Sequence, residues 1–168
     1  MDGAYKVLLE LREQGVIKAI GVGVNEVHIC MEFAQAGDFD FFLLAGRYTL
    51  LEQGALEDFL PLCIARGMGI MLGGPYNSGI LATGAVKGAK YNYQDAPPDI
   101  MERVGKIEAV CNRHNVPIAA AALQFPLGHE AVKTTIPGAI SAQEVERNIA
   151  LMEQDIPAEV VAEIRTSR

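Results

Sequence analysis

Polar and glycine-rich residues follow each of four apolar segments, and with these residues the chain could do chemistry. They are Asn25 and the stretches 47–49, 73–79 and 137–141. In the last stretch, a glycine and small residues precede a helix start, whose backbone N–H groups are suited to bind an anion. Ser141 has an alternative role, because a serine at this position also caps its own helix. The glycines of 73–79 likewise suit either a phosphate-binding loop or a simple turn.

Arg47 is a charged residue within the apolar stretch LLAGRYTLL, so it needs a partner. An ion pair across the rim of a barrel and a bound anion both satisfy that need. The histidines are not placed for catalysis, because His28 lies at a helix start, His114 at a helix end and His129 in a turn. The sequence has no carboxylate pair and no HExxH, GxSxG or Walker motif, so these motifs give no catalytic or metal-binding residue.

Composition excludes several classes of protein. The chain has 168 residues, of which 50% are hydrophobic, and a net charge of −7. That length suits one domain, and the acidity argues against binding to nucleic acid or anionic lipid. No apolar run approaches the length of a membrane helix. The three cysteines are far apart and odd in number, which favours buried thiols in a reducing compartment. We therefore expect a soluble, cytoplasmic protein.

Apolar segments alternate with amphipathic ones along the chain, which predicts alternating strands and helices. The predicted strands are 16–24, 39–45, 69–74 and 132–137. The predicted helices are 4–14, 26–36, 54–66, 98–114, 118–125, 141–152 and a last one that begins at Pro157. Ser141 and Glu144 have the spacing of a capping box. A long connection covers 75–97, and its Tyr91 and Tyr93 are either lid residues or surface aromatics in a mobile loop.

Strands that are apolar throughout belong in a parallel sheet covered by helices. Their spacing of roughly 25 residues suits the βα units of a (β/α)8 barrel, and a four-stranded doubly wound sheet is the rival. Gly21 and Gly23 are followed by Glu26 where a GxGxxG motif needs its third glycine, so no dinucleotide-binding loop of that type is predicted.

Four segments together resemble the aldo-keto reductase superfamily. They are GVIKAIGVGVNE (15–26), FDFFLLAGRYTLLEQGAL (39–56), GIMLGGPYNSGILATG (69–84) and IPGAISAQEVERNIALM (136–152). The wording is most similar to the sugar 1-dehydrogenase branch, of the D-threo-aldose or L-fucose dehydrogenase type. The resemblance covers essentially the whole chain, and it implies an α/β fold that forms strands five to eight of a (β/α)8 barrel. Residues 1–168 would then be a single partial domain, the C-terminal half of the barrel.

The resemblance also implies which residues bind a nicotinamide cofactor. Asn25 matches the residue that contacts the nicotinamide carboxamide. The matches to the pyrophosphate loop are Gly74, Pro75, Asn77 and Ser78, those to the loop near the adenosine 2′ position are Gly138, Ala139 and Ser141, and Asn148 matches the adenine contact. The chain departs from the family at three other cofactor contacts, namely Val24, Ala45 and Gly73.

The same resemblance makes NAD the expected cofactor, with NADP as the alternative. Members that prefer NADP tend to place a lysine and an arginine near the 2′-phosphate, and those positions correspond to Gly138 and Glu144. A carboxylate repels the phosphate, so NAD should bind better unless Arg147 reaches across.

No residue of the chain matches the catalytic Asp, Tyr, Lys and His of the family, and neither Tyr48 nor Lys133 is a substitute. We therefore expect the cofactor-binding half of an NAD(P)-dependent sugar dehydrogenase, a fragment or the product of a truncated frame, inactive alone. The alternatives are a non-catalytic nucleotide-binding or assembly module, and a flavodoxin-like domain that would leave the four matches unexplained.

A half barrel would expose its edge strands and inner face, so we expect a homodimer or pairing with an N-terminal half. The candidates for the inner face are Val22, Val24, Phe42, Leu44, Met71 and Thr134.

Overall fold

The computed structural model describes residues 3–166, and its central element is a four-stranded parallel sheet. Across the sheet the strands are β1 (Gly21–Val24), β2 (Phe41–Ala45), β3 (Gly69–Gly73) and β6 (Val132–Ile136). Two short strands, β4 (Lys90–Tyr91) and β5 (Gln94–Asp95), form a separate antiparallel hairpin. The predicted alternation of four parallel strands with helices is confirmed.

Helices cover one face of the sheet. They are α1 (Ala4–Glu13), α2 (Val27–Ala36), α3 (Phe59–Arg66), α4 (Ile80–Thr83), α5 (Pro98–Arg113), α6 (Ile118–Gln124), α7 (Ala142–Met152) and α8 (Ala158–Thr166). The predicted helix over 54–66 is divided into a 3-10 turn (Gly54–Leu56) and α3. Helix α3 ends at Gly67, whose φ of 69° is the left-handed conformation that glycine adopts most easily. None of the helices within residues 3–166 is long and apolar enough to cross a membrane.

The strand register shows which side chains face the helices. Phe42 and Leu44 are fully buried in the core, and Val22 and Val24, which lie opposite them on β1, pack against the same core. The expectation that these four residues face the inside of a barrel is therefore wrong. Met71 lies in register between Leu43 and Thr134, on the other face of the sheet, where it was expected.

Strand β1 is shorter than predicted, because the segment before it completes the preceding helix. The N–H groups of Val16 and Ile17 donate to the carbonyl of Leu11, so they are not available for a ladder. The backbone N–H of Ile20 donates to the carboxylate of Asp40 at 2.7 Å. That carboxylate also accepts from the Arg12 guanidinium at 2.8 Å, and it therefore joins α1 to the entry of the sheet.

The long connection 75–97 has structure of its own. It contains helix α4 and the hairpin of β4 and β5, neither of which was predicted. The hairpin is joined to the rest of the protein because the Tyr91 hydroxyl bonds the Glu52 carboxylate, and the N–H of Tyr93 donates to the Ser78 hydroxyl at 3.1 Å. The description of this segment as a mobile loop of surface aromatics is therefore wrong for Tyr91, which is half-buried.

We expect Asp40→Asn to destabilise the fold more at neutral pH than in acid. Burial raises the pKa of Asp40, but the hydrogen bonds from Ile20 and Arg12 outweigh it, so the pKa lies below its ordinary value of 3.8. A carboxyl group with a lowered folded pKa stabilises the fold above its unfolded pKa, and this stabilisation disappears as the pH falls through the folded pKa. Urea unfolding of both proteins should therefore show a free-energy difference that shrinks below about pH 4.

Asp38→Asn is the matched control, because Asp38 also pairs with Arg12 but its side chain is 82% exposed. Its effect on the unfolding free energy should stay within about 0.5 kcal/mol. An Asp40→Asn effect of the same size at every pH would contradict the assignment.

Candidate functional site

The carboxyl ends of the four parallel strands lie at one edge of the sheet, and most of the predicted site residues meet there. Asn25 follows β1, Arg47 follows β2, and Asn77 and Ser78 follow β3. Together with Tyr93 of the hairpin they line one small cavity, which we call the strand-end cavity. Parallel α/β proteins place their ligands at this edge.

Asn77 joins the ends of β2 and β3. The residue is 5% exposed, its amide nitrogen donates to the Gly46 carbonyl at 3.0 Å, and its amide oxygen accepts from the Thr49 hydroxyl at 2.6 Å. Its φ of 46° and that of Ser78, 62°, are left-handed, a conformation that asparagine tolerates better than most residues. Both polar ends of the Asn77 side chain are thus used inside the protein, so its contribution to a ligand site is the shape of the loop.

Arg47 makes hydrogen bonds to neutral groups. Its Nε donates to the Asn25 carbonyl at 3.1 Å, and its guanidinium also contacts the Asn92 amide oxygen at 3.4 Å. Among residues 3–166, no carboxylate forms an ion pair with it. Of the two alternatives raised by the sequence, the ion pair is not found in the described part of the chain. Binding of an anion by this permanent cation stays a prediction.

The predicted capping pair, Ser141 and Glu144, closes the loop from β6 into α7, but the Glu144 carboxylate bonds the residue before the cap and not the cap residue itself. The N–H of Glu144 donates to the Ser141 hydroxyl at 3.2 Å, and the Glu144 carboxylate accepts from the N–H of Ile140 at 2.9 Å. The capping role of Ser141 is therefore confirmed. Gly138 and Ala139, which precede the cap, are exposed and leave their backbone open to a ligand.

A second cavity, of about 280 Å³, lies between α7 and the loop after β3, and we call it the α7 cavity. Gly138, Glu144, Arg147 and Asn148 line it from one side and Tyr76 from the other. A groove lined by Gly74, Ser78, Gly138 and Glu144, among others, connects the two cavities. The candidate residues thus form one band from Asn25 to Asn148.

Three predicted residues stand apart from this band. Pro75 is buried in the loop after β3, Ala139 lines a separate groove beside β6, and the side chain of Ser141 is used by its own helix. Sequence reasoning missed Tyr76, Asn92 and the position of Arg47 next to Asn25. Tyr76 stood in the quoted segment GGPYNSG, but nothing local indicates that its hydroxyl reaches α7, because Asn148 is 72 residues away.

Histidine and cysteine chemistry is not concentrated at this edge. His114 contacts Glu163 at 2.9 Å, and His129 packs against the Tyr48 ring. Burial raises the pKa of the Cys30 and Cys63 thiols to about 12 and that of Cys111 to about 11, so these buried thiols stay protonated and unreactive. No cluster of metal-ligating residues is found within residues 3–166.

The band fits an extended dinucleotide better at its phosphate and adenosine side than at its nicotinamide end. Gly74 has a φ of 59° and is exposed beside Ser78, so the backbone there can approach a phosphate closely. At Gly73, however, an added Cβ would lie 3.3 Å from the Leu43 side chain, so an aromatic residue at this position would require that side chain to shift. The polar group available to a carboxamide is the exposed side chain of Asn25.

The chain is similar in sequence to known proteins. The sequence profile of the Aldo/keto reductase family matches residues 1–168. The chain is 43% identical over 164 residues to pyridoxal 4-dehydrogenase from Microbacterium luteolum, with 98% of this chain and 48% of that protein covered. It is 36% identical to D-threo-aldose 1-dehydrogenase from a Pseudomonas species, with 100% and 51% covered. The chain therefore spans about half the length of the curated relatives it matches.

A solved structure shows the same fold. The aldo-keto reductase AKR11C1 from Bacillus halodurans, in its holo form, superimposes with a TM-score of 0.76 at 23% identity. The match covers 96% of this chain and 54% of that one. The four-stranded sheet with its helices thus corresponds to about half of an aldo-keto reductase barrel, and the half-barrel prediction is confirmed.

We expect Asn77→Ala to lower the free energy of unfolding by about 1–3 kcal/mol, because it leaves the buried groups that Asn77 now satisfies without a partner. Thermal and urea unfolding measure the change. Asn77→Gly also removes the side chain but allows the left-handed backbone, so the difference between the two variants isolates the backbone contribution.

Thr49→Val removes the hydroxyl that donates to Asn77 and provides the coupling control. If the two side chains form one network, the double variant Thr49→Val with Asn77→Ala should lose less stability than the sum of the single variants. Full additivity, or an unchanged stability in Asn77→Ala, would contradict this structural role.

Proposed function

The chain belongs to the aldo/keto reductase family, and from this membership we propose that it forms the cofactor-binding half of an NAD(P)-dependent oxidoreductase. One observation carries the proposal. The residues that sequence resemblance selects for a nicotinamide cofactor, from Asn25 through Gly74 and Gly138 to Asn148, line adjoining cavities at a single edge of the sheet.

Each part of the band has a distinct task in this proposal. The exposed Asn25 side chain would hold the carboxamide, the backbone of Gly74 and Ser78 would cradle the pyrophosphate, and Asn148 would contact the adenine. The nicotinamide supplies the hydride acceptor or donor when it is bound. Arg47 would place a positive charge between the carboxamide and pyrophosphate positions, since it lines the strand-end cavity next to both Asn25 and Ser78.

The proposed reaction is hydride transfer between the cofactor and a hydroxyl or carbonyl carbon. Two relatives are dehydrogenases by name, one of pyridoxal and one of D-threo-aldoses, so we propose an aldehyde or sugar hemiacetal as the substrate class, with an aldose as the first choice. Such a reaction also needs a group that moves a proton at the substrate oxygen. No residue of this chain matches the family residues for that step, so we propose that the chain alone does not turn over.

We expect NAD to bind more tightly than NADP and Glu144→Gln to narrow the difference. The Glu144 carboxylate lines both the groove and the α7 cavity and would repel a 2′-phosphate. Glutamine keeps an oxygen that can accept the N–H of Ile140 but removes the charge. Calorimetric titration with both cofactors should show NADP binding improved by about fivefold or more in the variant and NAD nearly unchanged.

Glu146→Gln is the matched control, because it removes the same charge from the exposed surface of α7 without lining either cavity. Tighter binding of NADP than of NAD by the unaltered chain would refute the preference. Failure to bind either cofactor would refute the proposed function itself.

Two exposed edges favour assembly. The strand β6 borders an apolar groove of about 540 Å³ whose walls include Val145, Ile149 and Met152; Ile149 is 54% exposed. At the opposite edge, helix α1 has no buried residue in the described chain. We propose that an N-terminal half barrel covers both edges in the complete enzyme, and that a second copy covers them in this chain alone.

We therefore expect the chain to be a dimer or larger at micromolar concentration, measured by light scattering. Ile149→Lys should shift it toward the monomer, because a charge would then be buried in the interface. Ile64→Lys is the control, since Ile64 is similarly exposed, at 44%, on α3 away from both edges. A monomeric unaltered chain would refute self-association.

A further inference from the structure

The Tyr76 side chain links the loop after β3 to helix α7. Its ring is half-buried and packs against both the main core and the small cluster that contains Ala119 and Leu151, so its orientation is fixed by apolar neighbours. Its hydroxyl donates to the Asn148 amide oxygen at 2.8 Å. Burial raises the pKa of this hydroxyl, although Arg147 opposes the change, so the hydroxyl remains a donor at neutral pH.

In this hydrogen bond the oxygen end of the Asn148 amide is occupied, which leaves the nitrogen end for a ligand. An amide has an acceptor oxygen and a donor nitrogen, and a flip exchanges their positions. The Tyr76 hydroxyl occupies the oxygen, while in the part of the chain that the structure describes the amide nitrogen has no hydrogen-bond partner. Both residues line the α7 cavity, so the free function of Asn148 there is to donate an N–H.

The α7 cavity suits a flat heterocycle with an acceptor nitrogen. Small residues such as Gly79, Ala82 and Ala119 contribute to its lining, which leaves room for a planar ring. The charged side chains in the lining are those of Glu144 and Arg147, and neither is hydrogen-bonded to Asn148. A purine ring carries unprotonated nitrogens that accept an N–H donor of this kind.

We propose that Tyr76 is a positioning residue that holds the Asn148 amide so that its nitrogen donates to a ring nitrogen of the cofactor's adenine. The inference rests on the proposed function, because it assumes that a dinucleotide lies along the band.

The test is calorimetric titration of the full chain with NAD, AMP and nicotinamide mononucleotide. Tyr76→Phe keeps the ring and its packing but removes the donor, so the amide is free to flip. Binding of NAD and AMP should weaken by about fivefold, the effect of one neutral hydrogen bond. Binding of nicotinamide mononucleotide, which lacks adenine, should not change. A purely structural role would instead weaken all three ligands and lower the melting temperature.

Two further variants make the test specific. In an Asn148→Ala background, Tyr76→Phe should have no additional effect on AMP binding, because the group that it positions is gone. Tyr5→Phe is the matched control, since it also removes one tyrosine hydroxyl. The Tyr5 hydroxyl accepts from the backbone N–H of Asp38, far from the cavity. The 1-, 3- and 7-deaza analogues of AMP identify the acceptor: one of them should bind the unaltered chain and Tyr76→Phe equally.

The outcomes separate the two proposals. If the chain binds NAD and AMP but Tyr76→Phe binds them equally well, or if the loss persists in the Asn148→Ala background, the positioning role is overturned and the proposed function stands. If the unaltered chain binds neither NAD nor AMP, the proposed function fails and this inference fails with it.

Discussion

Parallel pairing of four strands is the constraint on which the rest of the structure depends. It places every carboxyl end at one edge of the sheet, so residues separated by more than a hundred positions, such as Asn25 and Asn148, contribute to one band of cavities. It also requires a long connection between successive strands, and those connections supply the helices that cover one face. Within the described residues, no strand pairs with the outer sides of the two edge strands, β1 and β6, and the connections do not cover the other face.

Most of the polar side chains in this band serve the protein before they can serve a ligand. Asn77 joins two strand ends, Ser78 holds the hairpin, and Glu144 accepts a hydrogen bond from the N–H of Ile140 just before α7. A loop whose side chains are occupied in this way presents its backbone in a fixed shape, which is the form of preorganisation that phosphate binding needs. Specific recognition of the rest of the ligand then depends on the few side chains at the ends of the band that have a free hydrogen-bond donor or a charge.

The sequence predicts what local chemistry determines and fails where distant contacts decide. The cap of α7 by Ser141 and the end of α3 at Gly67 follow from nearby residues, and both are confirmed. The face of the sheet on which Val22 and Phe42 lie could not be predicted. Strands of a buried parallel sheet are apolar at every position, so the sequence does not show which residues point toward the helices. The hairpin of β4 and β5 depends on Glu52 and Ser78, partners 39 and 15 residues away. Likewise, the link from Tyr76 to Asn148 spans 72 residues.

The position of the exposed edges has a thermodynamic consequence for the site. Asn25 follows β1 and Gly138 follows β6, and these are the two outer strands. A partner that pairs with the edges would therefore contact the strands that lead to Asn25 and Gly138, while the loop in the middle of the proposed band follows β3, an inner strand. If a ligand that spans the band and a partner that covers the edges stabilise the same arrangement, each raises the affinity for the other by the same factor. Under the proposed function, cofactor binding and completion of the barrel are then coupled equilibria.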